Sequence, residues 1–86
     1  MFVVDEVDPL GRRVVMDAPQ MSGHIVPRHQ EMLGQEEAIA HTIRYPSDIY
    51  DVGGNRNIYL GNNDWWVEVI VDHTTSIYGV VVTAWG

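Results

Sequence analysis

The stretch that decides the fold is WWVEVIVD, residues 65–72. Successive side chains of a strand point to opposite faces, so its three valines share one face with Trp65. Trp66, Glu68 and Ile70 share the other face. A strand that is apolar on both faces except at Glu68 is typical of the centre of a sheet. We expect helices to cover one face and the other to stay partly open.

One further strand is predicted before this one and another after it. Residues 56–60 and 77–85 contain the β-branched and aromatic residues that favour strands. The links at 61–64 and 73–76 are short and rich in Gly, Asn, Asp, Ser and Thr, which favour turns. Short links join antiparallel neighbours, so the sequence predicts a three-stranded antiparallel meander.

A helix is predicted upstream of the meander, at residues 35–44. Two glutamates fall in its first turn and His41 and Arg44 in its last, which suits the helix dipole. Pro46 ends it, because proline cannot continue a helix. Residues 46–55, with two consecutive glycines, are predicted to be a loop.

Residues 19–33 have weaker helical signals. His24 and Arg28 are four residues apart, as on one helix face, whereas Pro27 must kink or end a helix nearby. We therefore expect one or two short helical turns carrying His24 and Arg28, with His29 at their exit.

The chain begins with a predicted β-hairpin. Strands at 2–8 and 12–17 flank Asp-Pro-Leu-Gly, a favourable turn sequence. The whole order predicts one α+β domain over residues 1–86: a hairpin, one or two short helices, the helix at 35–44, and the meander.

Composition restricts the possible functions. The chain has 86 residues, no cysteine and a net charge of −7, and its five basic residues are all arginine. An acidic domain is a poor general binder of nucleic acid, so any RNA site must be small and locally cationic. There is no apolar run of about 18 residues, and the acidic start does not suit a signal peptide. We expect a cytoplasmic protein with no membrane segment.

The strongest chemical signal is a cluster within eight residues: His24, Arg28, His29 and Glu31. Imidazoles titrate near neutral pH and a guanidinium grips phosphate through paired hydrogen bonds. Glu31 could orient an imidazole. The alternative is an ordinary surface pair, and spacing alone does not decide between them.

A metal site is a further alternative, since His24, His29, His41 and His73 could all supply imidazoles. No His pair has metal-ligand spacing on a confident helix, however, and cysteine is absent. We expect no metal and no cofactor.

Residues of the predicted sheet could complete a phosphate site. Arg56, at a strand start, could be a second cation, and the Thr83 hydroxyl could donate to a ligand. Aromatic side chains could stack on bases, although core packing is their commoner use; the candidates are Tyr50, Tyr59, Trp66 and Trp85.

Taken in order, these blocks resemble the phage-type branch of the barnase/EndoU/colicin/RelE-like nuclease superfamily. The resemblance covers about residues 10–86 and departs from the usual pattern at Gln30, where proline is usual. It is carried by His24-Ile25-x-x-Arg28-His29-x-Glu31, the helix with Ile39 and Ile43, Pro46-x-Asp48-Ile49-Tyr50, Arg56 with Tyr59, and Val81-Val82-Thr83-Ala84-Trp85.

The resemblance implies a small metal-independent ribonuclease, such as a toxin or phage-derived effector, that cleaves RNA through attack by the 2′-hydroxyl. It also implies RNA as substrate and a possible antitoxin or immunity protein as partner. The implied catalytic residues are His24, Arg28, His29, Arg56 and Thr83, and we expect Tyr50, Tyr59 and Trp85 to contact substrate.

A second hypothesis is a non-catalytic acidic module that covers the basic surface of a partner protein. The net charge of −7 and the partly open aromatic sheet face motivate it. It predicts partner binding that is lost at high salt.

Overall fold

The computed structural model describes residues 1–63, 65–75 and 77–86. It is an α+β structure, as predicted. The strands are β1 (Phe2–Val7), β2 (Arg13–Asp17), β3 (Asp48–Asp51), β4 (Arg56–Asn63), β5 (Trp65–Asp72) and β6 (Gly79–Trp85). The helices are α1 (Ala18–Gln20), a π-helical turn (Met21–Ile25), α2 (Val26–Arg28), a 3-10 turn (Gln30–Met32) and α3 (Glu36–Arg44).

The six strands form one mixed sheet in the order β1-β2-β6-β5-β4-β3. All neighbours are antiparallel except β2 and β6, which run parallel with Val14 opposite Gly79 and Val15 opposite Val80. The hairpin of β1 and β2 and the antiparallel neighbours β4, β5 and β6 are present. They belong to one sheet, however, because β2 joins β6 directly, and this arrangement was not predicted. Sequence spacing cannot reveal that contact, since more than 60 residues of chain lie between the two partners.

The predicted loop at 46–55 is also wrong in its first half. Residues Asp48–Asp51 form β3, an edge strand on which Ile49 lies opposite Tyr59 of β4. Aspartates at both ends weaken the strand signal, while Ile49 packs against the core. The turns also differ slightly: β4 extends to Asn63, and the last strand starts at Gly79 instead of residue 77. Asp64 and Ser76, assigned to the turns, lie outside the described residues.

Residues 18–32 form a nearly continuous helical segment that begins directly after β2. The Asp17 carboxylate accepts a 2.8 Å hydrogen bond from the backbone N–H of Gln20 and so caps its start. The π-helical turn, in which the Val26 N–H donates to the Met21 carbonyl, ends two residues before Pro27. A wider turn suits this place, because a proline ring crowds the carbonyl four residues earlier in an α-helix.

One sheet face carries the core. Met21 and Ile25 of the helical segment and Ile39 and Ile43 of α3 are buried there against Val69 and other strand residues. The α-carbon of Gly61 lies so close to Thr42 of α3 that no side chain fits at position 61. The opposite face, with Glu68, Ile70 and Trp66, stays partly open.

Candidate functional site

The helical segment runs beside the second half of β6. The Gln20 side-chain amide donates a 2.5 Å hydrogen bond to the Val82 carbonyl. Further along, the backbone N–H of Gly86 donates to Glu31 at 3.1 Å. That hydrogen bond is the main reason why the pKa of Glu31 lies below its usual value. These contacts place the histidines of the segment at the C-terminal end of β6.

His24 and Arg28 are in direct contact. Their Nδ1 and Nη1 atoms are 2.9 Å apart, and the same Nη1 donates to the His24 carbonyl at 3.2 Å. A guanidinium only donates, so Nδ1 of His24 must accept. The proton of the neutral ring then resides on Nε2, which is left as a hydrogen-bond donor. The predicted shared face of His24 and Arg28 is thus present.

Arg28 differs electrostatically from the other arginines. Among the described residues, it is the only arginine without a carboxylate within 4.0 Å. It is also exposed. The remaining four guanidiniums are each paired: Arg12 with Asp8, Arg13 with Asp5, Arg44 with Glu6, and Arg56 with Asp72. In a chain with twelve carboxylates, Arg28 is therefore the cation most readily available to an anionic ligand.

His29 leads from the helical segment onto the open sheet face. Its ring centroid lies 5.8 Å from that of Trp85, at an interplanar angle of 31°. Trp85 is directly opposite Glu68 in the sheet. Thr83 shares the face, and its buried hydroxyl has no hydrogen-bond partner within the described part of the chain. An unpartnered buried hydroxyl is costly and is often explained by a function or an unseen partner.

Arg56 does not lie with these residues. It is opposite Asp72 in the sheet, and its Nε is 3.5 Å from the Asp72 carboxylate. Trp85 lies two strands across and four residues along from it. At about 3.3 Å per residue and about 4.8 Å per strand, the two backbones are about 16 Å apart. Arg56 is therefore remote from Trp85 in the sheet and is already paired with Asp72.

The tyrosines predicted to contact substrate have different surroundings. Tyr50 lies on β3 and is half exposed. Tyr59 is fully buried in the core, so its ring is not available to stack on a base. Trp85, the third residue of that prediction, is partly exposed beside His29.

The Tyr59 hydroxyl belongs to a polar network at the opposite end of the sheet. It donates a 2.5 Å hydrogen bond to the Asp8 carboxylate and accepts one of 3.1 Å from Nη2 of Arg12. Nε2 of His73 lies 3.0 Å from the same oxygen. Nη1 of Arg12 donates to the Asn57 side chain at 3.2 Å. The five residues come from three segments: the turn between β1 and β2, strand β4, and the link that follows β5.

The network changes the pKa values of three of its side chains. Burial opposes ionisation of Asp8, but hydrogen bonds from Tyr59 and Arg12 outweigh it and hold the Asp8 pKa below its usual value. Burial and the adjacent carboxylate raise the pKa of Tyr59, so the phenol stays protonated. Burial, together with repulsion from Arg12, lowers the pKa of His73. His73 is thus held neutral at physiological pH.

Sequence reasoning did not find this network. Asp8 looked like a turn opener and His73 like a turn residue, and each has those roles locally. Their partners are distant in sequence: Tyr59 is 51 residues from Asp8 and 14 from His73. One part of the network is local in sequence: Asp8 and Arg12 are four residues apart across the turn. Nε of Arg12 donates to the Asp8 carboxylate at 2.9 Å.

Comparison with known proteins identified no relative: no protein-family model, curated protein or solved structure matches the chain. Within residues 1–63, 65–75 and 77–86, no group of three or more His, Cys, Asp or Glu side chains is placed to hold a metal ion. The helices of the same ranges are all too short or too polar to span a bilayer.

Proposed function

We propose that the chain is a small metal-independent endoribonuclease, the activity implied by its resemblance to the phage-type nucleases. The proposed centre consists of His24, Arg28, His29, Thr83 and Trp85. The observation that carries the proposal is the state of Arg28: it donates to an imidazole and has no carboxylate partner among the described residues. Such a guanidinium is well suited to bind a phosphate.

The roles of the two histidines follow from their contacts. Nδ1 of His24 is occupied by Arg28, so His24 presents its Nε2–H to a phosphate oxygen. His29 has no such partner in its local segment and acts as the general base. The base contributes about 10²–10⁴-fold to the rate.

In the proposed reaction, His29 takes the proton of the 2′-hydroxyl and the O2′–P bond forms. The P–O5′ bond breaks, and the 5′-oxygen leaves with a proton from solvent. The products are a 2′,3′-cyclic phosphate and a 5′-hydroxyl. Arg28 and the Thr83 hydroxyl stabilise the extra negative charge at phosphorus, and one such donor is worth about 10²–10³-fold.

The other predicted residues have auxiliary roles in this proposal. Trp85 stacks on the base next to the reacting phosphate, since it already lies against His29. Arg56 and Tyr50 contact flanking nucleotides, because the Arg56 backbone lies about 16 Å from that of Trp85. The partner of such a toxin would be an antitoxin or immunity protein that covers the centre and inhibits cleavage.

Substitutions with matched controls test the proposal. In EDTA, His29→Ala and Arg28→Ala should each lower the cleavage rate of purified RNA by at least about 100-fold. His41→Ala on α3 and Arg13→Ala on β2 change the same residue types elsewhere and should leave the rate within about threefold, because neither touches the proposed centre. Equal losses in all four variants, or no cleavage by the wild type, would contradict the proposal.

The acidic binding module remains a second candidate, favoured by the edge strand β3. Tyr50 and Val52 are exposed there next to the carboxylates of Asp48 and Asp51. An edge strand offers unpaired backbone groups to a partner, and the carboxylates would favour a basic one. Under this candidate the wild type captures a basic partner without cleaving RNA, and Tyr50→Lys with Asp51→Lys should abolish the capture.

A further inference from the structure

A cleft of about 820 Å³ lies at the end of the sheet that carries the Asp8–Tyr59 network. It is formed by the turn after β1, the loop between β3 and β4, and the link between β5 and β6. Small-molecule sites usually enclose about 300–1,000 Å³, so the cleft has the size of a site for an organic ligand.

Arg12 supplies unused donors to this cleft. A guanidinium has five N–H groups, and Arg12 uses three of them, on Asp8, Asn57 and Tyr59. Its side chain is 35% exposed and lines the cleft. The two remaining N–H groups are therefore available at the open end of a guanidinium whose position is fixed by three hydrogen bonds.

His73 supplies an acceptor to the same cleft. The Tyr59 proton goes to the Asp8 carboxylate, which can only accept, so the Tyr59 oxygen must accept from Nε2–H of His73. Nδ1 of His73 then carries the lone pair. The ring packs directly on Gly79, where a Cβ atom would collide with it.

The loop between β3 and β4 adds two backbone donors. Gly53, Gly54 and Asn55 all have positive φ angles of 61–82°. Within the described part of the chain, the N–H groups of Gly54 and Asn55 form no hydrogen bond, and both residues line the cleft. These two amides are therefore not used in a strand or a helix.

The lining of the cleft contains two guanidiniums, and each is also paired with a carboxylate: Arg12 with Asp8 and Arg13 with Asp5. Arg12 and Arg13, two of the five arginines of the chain, line the cleft, whereas Asp51 is the one described carboxylate that does. Asp51 is already used as an acceptor by the Gly53 N–H at 2.8 Å. An anion bound here would compete with Asp5 for Arg13 and would meet Arg12 only through the N–H groups that Asp8, Asn57 and Tyr59 leave free.

We propose that this cleft binds the phosphate monoester group of a small organic molecule, such as a mononucleotide. The phosphate lies between the free N–H groups of Arg12 and the amides of Gly54 and Asn55. A phosphate alone would leave most of the cleft empty, and the organic part occupies the remainder beside Tyr78. The site is independent of the proposed ribonuclease centre, which lies at the other end of β6.

Nuclear magnetic resonance titration of the full chain tests this site without a substitution. The probes are a nucleoside 5′-monophosphate, the matching nucleoside and inorganic phosphate. Saturable shifts of the His73 ring and of the Gly54 and Asn55 amides are expected with the monophosphate. The nucleoside should bind at least about tenfold more weakly, since it lacks the charged group to which the guanidinium and the two amides donate.

Arg12→Lys provides the variant test. Lysine keeps a positive charge beside Asp8 but lacks the fixed fork, so monophosphate affinity should fall at least about tenfold. His29→Ala should retain full affinity, which separates this site from the ribonuclease centre. The proposal is overturned if no saturable binding occurs, if nucleoside and monophosphate bind equally, if folded Arg12→Lys binds as tightly as the wild type, or if the shifts fall on His24 and His29 instead.

Discussion

The Tyr59 hydroxyl and the Asp8 carboxylate are joined by a 2.5 Å hydrogen bond, with both side chains fully buried. The bond links the turn after β1 to the centre of β4, on the far side of the sheet from β1. Arg12 and His73 complete the set of contacts around the same two groups. This contact joins two segments that are 51 residues apart in sequence, and the network around it leads to the first three predictions.

Removal of the hydroxyl should destabilise the fold. Tyr59→Phe keeps the ring but takes one donor from the buried Asp8 carboxylate, at a cost of about 1–3 kcal/mol. Urea unfolding followed by tryptophan fluorescence measures the change. Tyr50→Phe removes the same group from an exposed ring and should change the free energy of unfolding by less than about 0.5 kcal/mol. Equal effects of the two substitutions would show that the network does not stabilise the fold.

Stability should fall at acid pH because of Asp8. Its pKa is lowered in the folded state, so its contribution is present above the unfolded value of about 4 and is lost as the pH falls through the folded value. The free energy of unfolding of the wild type should therefore decrease below about pH 4. Asp8→Asn, which cannot titrate, should show a weaker decrease over that range, measured as urea midpoints from pH 6 to pH 2.

His73 should add a separate step at higher pH. Its pKa is lowered on folding, so the stability that it contributes is present above its unfolded value of about 6.5 and is lost as the pH falls through the folded value. His73→Gln should remove the part of the pH dependence that begins below about pH 6.5. An unchanged profile between pH 7 and pH 5 would contradict this assignment.

Gly61 and Thr42 should be coupled. A Cβ atom at position 61 would collide with the Thr42 side chain, so Gly61→Ala should cost about 1–3 kcal/mol through overpacking. Thr42→Ala removes the hydroxyl and the methyl group and should recover part of that loss in the double variant. A double-mutant cycle of unfolding free energies measures the coupling, and strictly additive effects would exclude the steric explanation.

The sequence predicted those parts of the fold that depend on local patterns. The alternation in residues 65–72 and the capping charges of α3 are local, and both elements form as expected. The parallel contact of β2 with β6 depends on residues more than 60 positions apart and has no local signal. Strand β3 was missed because its aspartates resemble turn residues.

The same distinction between local and long-range contacts applies to the candidate site. The His24–Arg28 contact lies within one helical turn and was predictable from spacing. The positions of Arg56 and Tyr59 depend on the strand order and on the face of β4 to which each side chain points, neither of which their own residues indicate. The cleft and its Asp8–Tyr59–His73 network likewise require three distant segments to meet.

The most direct test of the central claim is the chemistry of the ends left on a defined RNA oligonucleotide incubated with the chain in EDTA. The account predicts 2′,3′-cyclic phosphate and 5′-hydroxyl ends with the wild type, and at least about 100-fold slower formation of both with Arg28→Ala. Intact RNA with folded wild type, or the same ends at the same rate with Arg28→Ala, would contradict it.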